Sequence, residues 1–235
     1  MKFDIRFYDS VASTMDVARQ ALLENADEGT VIQAGEQKSG RGRRGHEWSS
    51  PKGNLYQSLI LKPIVERACW GEMAFIIAVA LADAVRPLLR NDQKLNLKWP
   101  NDVLIRNQKL AGILIEAGDD FVIVGTGVNI AHAPDGRSKL NDFTDIDVNT
   151  FRDILLSHIA FNYTEWQNEG FETIRIKWLA SAYRKNDRIQ VSLKNRVLEG
   201  IFENIDKSGA LILRSDNGEK HNITSAEIIN WDIKA

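Results

Sequence analysis

A short glycine-arginine run, Gly40-Arg41-Gly42-Arg43-Arg44-Gly45, holds the densest set of reactive groups in this chain. Guanidinium groups keep a fixed positive charge and bind carboxylates and phosphates through paired N–H donors. The glycines remove side-chain bulk, so a ligand can approach the backbone N–H groups closely. Gln37 precedes the run and Trp48 follows it, adding an amide and an aromatic ring. Taken alone, the run indicates a small-molecule anion site, a nucleic-acid contact or a solvated basic turn.

A second motif, Lys98-Trp99-Pro100-Asn101-Asp102, presents an amide and a carboxylate where a proline ends a strand. Such a pair suits a metal, a phosphate-bound water or an incoming amine. A simple Pro-Asn-Asp turn would have the same sequence. Both interpretations stay open at this point.

Two glycine-containing segments follow. Lys109 opens an apolar segment, and Gly112 comes three residues later. An ammonium facing a buried cleft needs an anionic partner, whereas one at a sheet edge is ordinary. In Gly125-Thr126-Gly127-Val128-Asn129, small residues thin a strand beside Asn129. A Gly-x-Gly pair is unspecific by itself, and no dinucleotide-binding pattern follows it.

Length, composition and net charge limit the class of protein to which this chain can belong. The chain has 235 residues, 43% of them hydrophobic, with a net charge of −2, which suits one medium domain or one domain with a small appendage. Any affinity for phosphate must therefore come from a local patch. The lone Cys69 permits no internal disulfide and is interpreted as a small core residue. No secretory signal is present, and Met73 to Val85 is too short to span a bilayer, so we expect a cytoplasmic protein.

Periodicity predicts an α+β fold. Alternation around Phe3, Ile5 and Phe7 indicates an opening strand, and Ser13-Thr14-Met15-Asp16 resembles a helix cap. The polar stretch from Ala131 to Asn149 is predicted to cover a ligand or to be partly disordered. The remaining predicted elements are strands over 30–36, 54–61, 95–99, 102–106, 109–116 and 121–130, and helices over 15–25, 70–89, 150–169 and 171–183.

The pattern changes after Asp187. Five short strands with tight turns are predicted over 188–193, 197–205, 210–213, 219–223 and 228–231. Strands of this length and spacing are typical of a small barrel. We therefore expect a domain boundary near residue 186, with domains over 1–186 and 187–235.

The motifs, in this order and spacing, resemble the catalytic domain of biotin protein ligases, which join biotin to acetyl-CoA carboxylase. The likeness rests on Gly-Arg-Gly-Arg-Arg-Gly-x-x-Trp, on Lys-Trp-Pro-Asn-Asp followed six residues later by Lys-x-x-Gly, and on Gly-x-Gly-x-Asn. It runs from about Tyr8 to Asn129. It implies a mixed sheet backed by helices, in the class II synthetase-like ligase fold, with an SH3-like C-terminal barrel.

The resemblance implies an ATP-dependent, AMP-forming enzyme. Biotin would be activated as biotinyl-5′-AMP with Mg²⁺ as the counter-ion of ATP. The biotinyl group would then pass to a lysine of the biotin carboxyl carrier protein. No permanently bound cofactor, DNA or membrane is expected, and a homodimer would accord with the family.

The same resemblance assigns roles residue by residue. Biotin would contact Ser13, Thr14, Met15, Gln37, Arg41, Gly42, Arg43, Lys109 and Gly112. ATP would contact Arg43, Trp48, Asn101 and Asn129. Lys109, Arg43 and Asp102 would be catalytic, and Asp102 would also bind magnesium, although a role of Asn101 and Asp102 toward the acceptor lysine is equally compatible.

Two residues differ from the common pattern of the family, and alternative functions stay open. Met15 and His46 stand where the family commonly has asparagine and arginine. The motifs begin within fifteen residues of Met1, so we expect a monofunctional form without the N-terminal DNA-binding domain of some members. The alternatives are a lipoate ligase, which lacks this arginine-glycine loop, and a non-catalytic nucleotide- or nucleic-acid-binding module.

Overall fold

The computed structural model describes residues 1–90, 92–193 and 196–230. Its larger sheet has seven strands in the order β1-β2-β3-β7-β6-β5-β4. Strands β1 and β2 are parallel, and every other neighbouring pair in this sheet is antiparallel. The predicted mixed sheet is therefore confirmed. Its strands are β1 Asp4–Val11, β2 Thr30–Gln37, β3 Leu55–Leu61, β4 Leu95–Lys98, β5 Asp102–Ile105, β6 Gln108–Ala117 and β7 Val122–Val128.

Helices cover both faces of this sheet, because its central strands are apolar on both sides. Along β3, Leu55 and Leu59 pack in the main core with α2, whereas Ile60 packs in a smaller core under α1. This alternation follows the two-residue period of a strand. The helices are α1 Thr14–Leu23, α2 Met73–Val85, α3 Val148–Glu169 and α4 Phe171–Ala180.

Helix α2 is apolar almost all round because it is buried almost all round. Short 3₁₀ turns flank it, giving a helical stretch over Arg67–Leu88. By length and hydropathy this stretch could span a membrane, but 78% of its apolar window is buried inside the protein. It is therefore the core helix that the sequence predicted, with Phe75 edge-on to both Phe171 and Trp178, at 5.4 Å between ring centroids in each case.

The C-terminal strands form a separate antiparallel sheet in the order β11-β10-β9-β8-β12. This arrangement agrees with the predicted SH3-like domain. Trp231, the last residue of the fifth predicted strand, lies outside the described residues. The strands are β8 Arg188–Ser192, β9 Val197–Ile205, β10 Leu211–Arg214, β11 Lys220–Ile223 and β12 Glu227–Asn230.

The small sheet is joined to the larger one through buried contacts. The indole N–H of Trp99 donates to the carbonyl of Gly209 at 3.0 Å, and the peptide between Trp99 and Pro100 is cis. The Gly209 α-carbon lies against the ring of Phe75, since a Cβ there would come within 2.5 Å of that ring. The turn between β9 and β10 therefore packs on the main core.

Two local predictions need correction. Ser13 is the residue before α1, but its side chain makes no capping hydrogen bond. Its hydroxyl oxygen is buried without a partner among the described residues. The stretch after residue 131 contains a 3₁₀ turn, Leu140–Asp142, tied down by the Leu140 N–H donating to the Asn129 carbonyl at 3.0 Å. Part of that predicted loop is thus regular structure.

Replacing Gly209 with alanine should destabilise the fold more than replacing Gly218. Both turn glycines have positive φ angles, +81° and +84°, but only at Gly209 does an added Cβ meet other atoms. Backbone strain should cost about 1–2 kcal/mol at either position. Overpacking against Phe75 should add about 1–3 kcal/mol at Gly209 alone. Urea unfolding of both variants measures the difference, and equal losses would show that the Phe75 contact carries no weight.

Candidate active site

One cavity of about 570 Å³ collects every residue that the sequence analysis singled out for binding or catalysis. That volume is within the usual range for small-molecule sites. The lining includes Ser13, Thr14, Met15, Gln37, Arg41, Gly42, Arg43, Trp48, Asn101, Asp102, Lys109, Gly112 and Asn129. Residues separated by up to 116 positions, from Ser13 to Asn129, therefore line the same cavity.

Strand register explains why these motifs meet. Asp102 pairs with Gly112, Gly112 with Gly127, and Gly127 with Tyr56, so one row of neighbours crosses β5, β6, β7 and β3. Paired residues point to the same face of a sheet. This row forms the floor of the cavity on the α1 side of the sheet.

The cavity is lined by more positive than negative groups. Six cationic side chains face three carboxylates there, a surplus of three positive charges in a chain whose net charge is −2. A concave surface of one sign attracts ligands of the opposite sign. The six are Arg41, Arg43, Arg44, Lys98, Lys109 and Arg137, and the three are Glu47, Asp102 and Asp135.

Lys109 is paired inside the cavity. Its ammonium nitrogen lies 2.6 Å from Asp102 Oδ1, and both side chains are less than one-fifth exposed. Burying an ammonium without such a partner is costly. The sequence left open whether this lysine faces a cleft or a sheet edge, and the cleft is the observed case.

Trp48 occupies the space above the floor glycines. A Cβ on Gly127 would lie 2.5 Å from its indole nitrogen, and one on Gly112 would lie 2.9 Å from its ring. Lys109 Nζ lies 5.2 Å from the ring centre, within the range of a cation–π contact. Gly112, to which the resemblance assigns a biotin contact, therefore lies directly under this indole. Its buried N–H has no acceptor among the described residues.

The opposite end of the cavity is neutral and polar. Gln37 Oε1 accepts hydrogen bonds from the backbone N–H and the hydroxyl of Thr14, at 2.9 and 3.1 Å. Gln37 Nε2 donates to Ser50 Oγ at 3.0 Å, and Ser58 Oγ donates to Thr14 Oγ1 at 2.8 Å. The unpartnered Ser13 hydroxyl lies beside this network. A ligand head with both donors and acceptors fits such an end.

Two arginines anchor the arginine-glycine loop. Arg43 Nη1 donates to Asn101 Oδ1 at 3.2 Å, and Asn101 Nδ2 donates to the Ile113 carbonyl at 2.7 Å. Arg41 is bound by both oxygens of Asp16, at 2.8 and 2.6 Å. The hydrogen bonds of Arg43 connect the loop to the proline-asparagine motif.

Asn129 is held by hydrogen bonds at the far side of the floor. Its side-chain nitrogen donates to the Ser138 carbonyl at 3.0 Å, so that nitrogen is engaged within the protein. The following segment is positioned by Asn54, whose Oδ1 accepts from the N–H groups of Ile130, Ala131 and His132 at 2.8 to 3.0 Å.

Sequence reasoning missed several residues that build this site. Asn54, Ser58 and Arg137 carry no motif, and Asp16 reads as an ordinary first-turn acid. Ala226 and Ile228 line the cavity from the small C-terminal sheet. Only the packing of that sheet on the larger one brings them there, so no local signal in the sequence could have found them.

Neither Tyr56 nor Cys69 is suited to act as a nucleophile in this cavity. Burial raises the pKa of Tyr56 to about 12, so its hydroxyl stays neutral and donates to the Pro51 carbonyl at 2.8 Å. Burial also raises the pKa of the Cys69 thiol, and Cys69 does not line the cavity. A raised pKa disfavours the nucleophilic thiolate.

Comparison with known proteins places the chain in a family. The biotin/lipoate A/B protein ligase family matches residues 7–129, a little over half of the chain, and the biotin protein ligase C-terminal domain matches residues 186–231. A biotin–[acetyl-CoA-carboxylase] ligase of Paracoccus denitrificans is 38% identical, covering 84% of this chain and 88% of that protein.

The chain belongs to the biotin/lipoate A/B protein ligase family. A Mycobacterium tuberculosis biotin–[acetyl-CoA-carboxylase] ligase is 31% identical over 90% of this chain and 86% of its own length. Among solved structures, biotin protein ligase from Aquifex aeolicus in complex with biotin and ATP superposes with a TM-score of 0.85, covering 96% and 97% of the two chains. At 24% identity this likeness confirms the fold. The family and the enzyme class expected from the motifs are confirmed.

Replacing Asn54 with leucine should loosen the segment after Asn129. The change removes the acceptor of three backbone N–H groups, one of them on the buried Ile130, which should lower the free energy of unfolding by about 1–3 kcal/mol. Asn54→Asp is the comparison variant, because it keeps the accepting oxygen, although it replaces the bond from Nδ2 to the His132 carbonyl with an unfavourable contact between two oxygens. Urea denaturation should show the larger loss for leucine; the reverse order would contradict this role.

Proposed function

We propose that this chain is an ATP-dependent biotin protein ligase that acts in two steps. In the first, a biotin carboxylate oxygen attacks the α-phosphorus of ATP, the bond to the β-phosphate bridge breaks, and pyrophosphate leaves. In the second, the amine of a carrier lysine attacks the acyl carbon of biotinyl-5′-AMP. An amide forms, AMP leaves, and the amine loses a proton.

The observation that carries this proposal is the single cavity with a neutral polar end and a cationic end. Adenylation brings two anions together, so positioning and electrostatic stabilisation supply most of the catalysis. Six cationic side chains around about 570 Å³ meet that need. No covalent enzyme intermediate is required, which accords with the remote Cys69.

Ser13, Thr14 and Gln37 are proposed to bind the ureido head of biotin. The Ser13 hydroxyl is buried and has no partner among the described residues, so it can bond a ligand. Thr14 and Gln37 are already bonded to each other, which fixes their orientation before a ligand arrives. Met15 is buried against Gly125 and would contact the ring system through its thioether.

Arg41, Gly42, Arg43 and Lys109 are proposed to bind the charged centre of the reaction. Arg41 and the backbone at Gly42 would line the biotin chain and its carboxylate, and Arg43 would bind the phosphate. Lys109 would bridge the carboxylate and the α-phosphate, where negative charge accumulates in the transition state. Asp102 Oδ1, at 2.6 Å, orients the ammonium.

The adenosine half is proposed to lie near Trp48, Asn101 and Asn129. Gly112 would allow the indole of Trp48 to lie flat on the sheet, ready to stack on adenine. The side-chain oxygen Oδ1 of Asn129 would accept from the adenine edge, because the side-chain nitrogen Nδ2 already donates to the Ser138 carbonyl. Asn101 would orient Arg43 toward the phosphates.

Magnesium is proposed to enter with ATP. No cluster of three acidic, histidine or cysteine side chains is found within residues 1–90, 92–193 and 196–230. Mg²⁺ binds through one or two carboxylates together with substrate phosphates, so the single carboxylate of Asp102 suits it. It would neutralise phosphate charge.

We also propose an acceptor protein, a cellular location, an oligomeric state and a domain boundary. The acceptor is proposed to be the biotin carboxyl carrier protein, with neither DNA nor membrane as partner, in a cytoplasmic enzyme that forms a homodimer. The chain would divide at about residue 186, between α4 and β8. The second domain would contribute Ala226 and Ile228 to the cavity wall.

Pyrophosphate release from Mg-ATP, with biotin, lipoate or no acid and without carrier, tests the first step. Release that depends on biotin, with bound biotinyl-AMP detected by mass spectrometry, is the expected result. Release with lipoate alone would instead identify a lipoate ligase. If the folded protein releases no pyrophosphate under any of these conditions, the cavity is a binding site without ligase activity.

Replacing Lys109 with alanine should reduce biotin-dependent pyrophosphate release by roughly a hundred- to a thousandfold, because it removes a donor aimed at transition-state charge. Lys220→Ala is the control: it also removes a lysine–carboxylate pair, with Glu203 at 2.8 Å, but in the small sheet. Circular dichroism should show both variants folded. Normal adenylation by Lys109→Ala would refute the assigned role.

A further inference from the structure

Asp16 lies in the first turn of α1, three residues after Ser13, yet it does not line the cavity. Both of its carboxylate oxygens accept hydrogen bonds from Arg41, at 2.8 and 2.6 Å. A two-point pair of this kind fixes the plane of the guanidinium as well as its distance. The helix N-terminus favours a carboxylate at this position.

A second arginine fixes Asp16 from the other side. Arg19 Nη1 lies 3.2 Å from Asp16 Oδ1, and the same guanidinium forms a close ion pair with Glu116 on β6. Charges of alternating sign therefore run from β6 across α1 to the arginine-glycine loop. This series connects the loop to a strand of the central sheet.

The loop forms one wall of the cavity, through Arg41, Gly42, Arg43, Arg44, His46, Glu47 and Trp48. In the middle of the loop, Arg43 donates a hydrogen bond to Asn101. At its end, Trp48 packs on Gly112 and Gly127. Asp16 supplies the corresponding attachment at the beginning of the loop. Without it, Arg41 would lose both of these hydrogen bonds to α1.

We infer that Asp16 is a positioning residue that holds the arginine-glycine loop closed through Arg41 and so retains the acyl-adenylate made in the cavity. This inference rests on the proposed function. Asp16 lies outside the cavity lining and acts through the guanidinium that it orients. An adenylate that escaped before transfer would hydrolyse or acylate other amines.

The solvent exposure of the Asp16–Arg41 pair sets how much its loss should change the rate of adenylate release. The two side chains are 37% and 42% exposed, so the pair is screened by solvent and salt. An attachment of this strength can open to admit substrate. Its loss should speed release of the adenylate by roughly fivefold rather than by orders of magnitude.

The experiment compares release of biotinyl-AMP from wild type, Asp16→Asn and the control Asp4→Asn. Asp4 also pairs with an arginine, at 2.8 Å, but at the opposite end of β1 from α1. Each protein is loaded with biotin and Mg-ATP, desalted, and followed by the appearance of free biotinyl-AMP. Asp16→Asn should release it roughly fivefold faster than wild type, Asp4→Asn should match wild type, and Asp16→Glu should restore retention.

If Asp16 acts by orienting Arg41, the effect of Asp16→Asn should disappear when Arg41 is also replaced. A general structural effect would persist. The double variant Asp16→Asn/Arg41→Gln should release no faster than Arg41→Gln alone. Raising the salt concentration should speed release from wild type more than from Asp16→Asn. Equal retention by Asp16→Asn and wild type, or additive effects in the double variant, would overturn the inference. Failure of wild type to form biotinyl-AMP would instead overturn the proposed function.

Discussion

The ion pair between Lys109 and Asp102 is the interaction around which this site is built. It joins the beginning of β6 to the beginning of β5, on the face where the cavity opens. A lysine held there without a carboxylate would be costly, and a carboxylate without the lysine would repel both substrates. The pair therefore keeps a positive charge available in a partly buried place.

The rest of the site follows from the geometry of the sheet around that pair. The row from Asp102 through Gly112 and Gly127 to Tyr56 exists because four antiparallel strands keep their register. Two glycines in this row allow the indole of Trp48 to pack against the sheet and to contact Lys109 through its ring. An indole, an ammonium and a carboxylate are thereby placed next to one another by main-chain hydrogen bonds.

The two ends of the cavity are built by different means. The neutral end is a closed network in which Thr14, Gln37, Ser50 and Ser58 satisfy one another, so it is rigid before any ligand binds. The charged end depends on a loop attached by exposed or half-exposed side chains. A rigid end suits recognition of a neutral bicyclic head, and an end that opens suits the entry of a nucleotide. The small C-terminal sheet completes the wall with Ala226 and Ile228.

From the sequence by itself, local physics predicted the α+β class and nearly all of the strands and helices, through alternation in the strands and the apolar faces of α2. Residue types suited to anions indicated the arginine-glycine loop. Through its family resemblance, the sequence also assigned thirteen site residues, all of which the structure places in one cavity. It could not show that Ser13 fails to cap α1, that the space over Gly112 holds Trp48, or that Asp16 binds Arg41.

Only the tertiary structure decided those points, because each depends on groups far apart in the chain meeting in three dimensions. Asp16 and Arg41 are 25 positions apart, Trp48 and Gly127 are 79 apart, and Ile228 comes from another sheet. Periodicity and motif spacing report how a segment folds locally. They carry no information on which distant side chain will fill the space beside it.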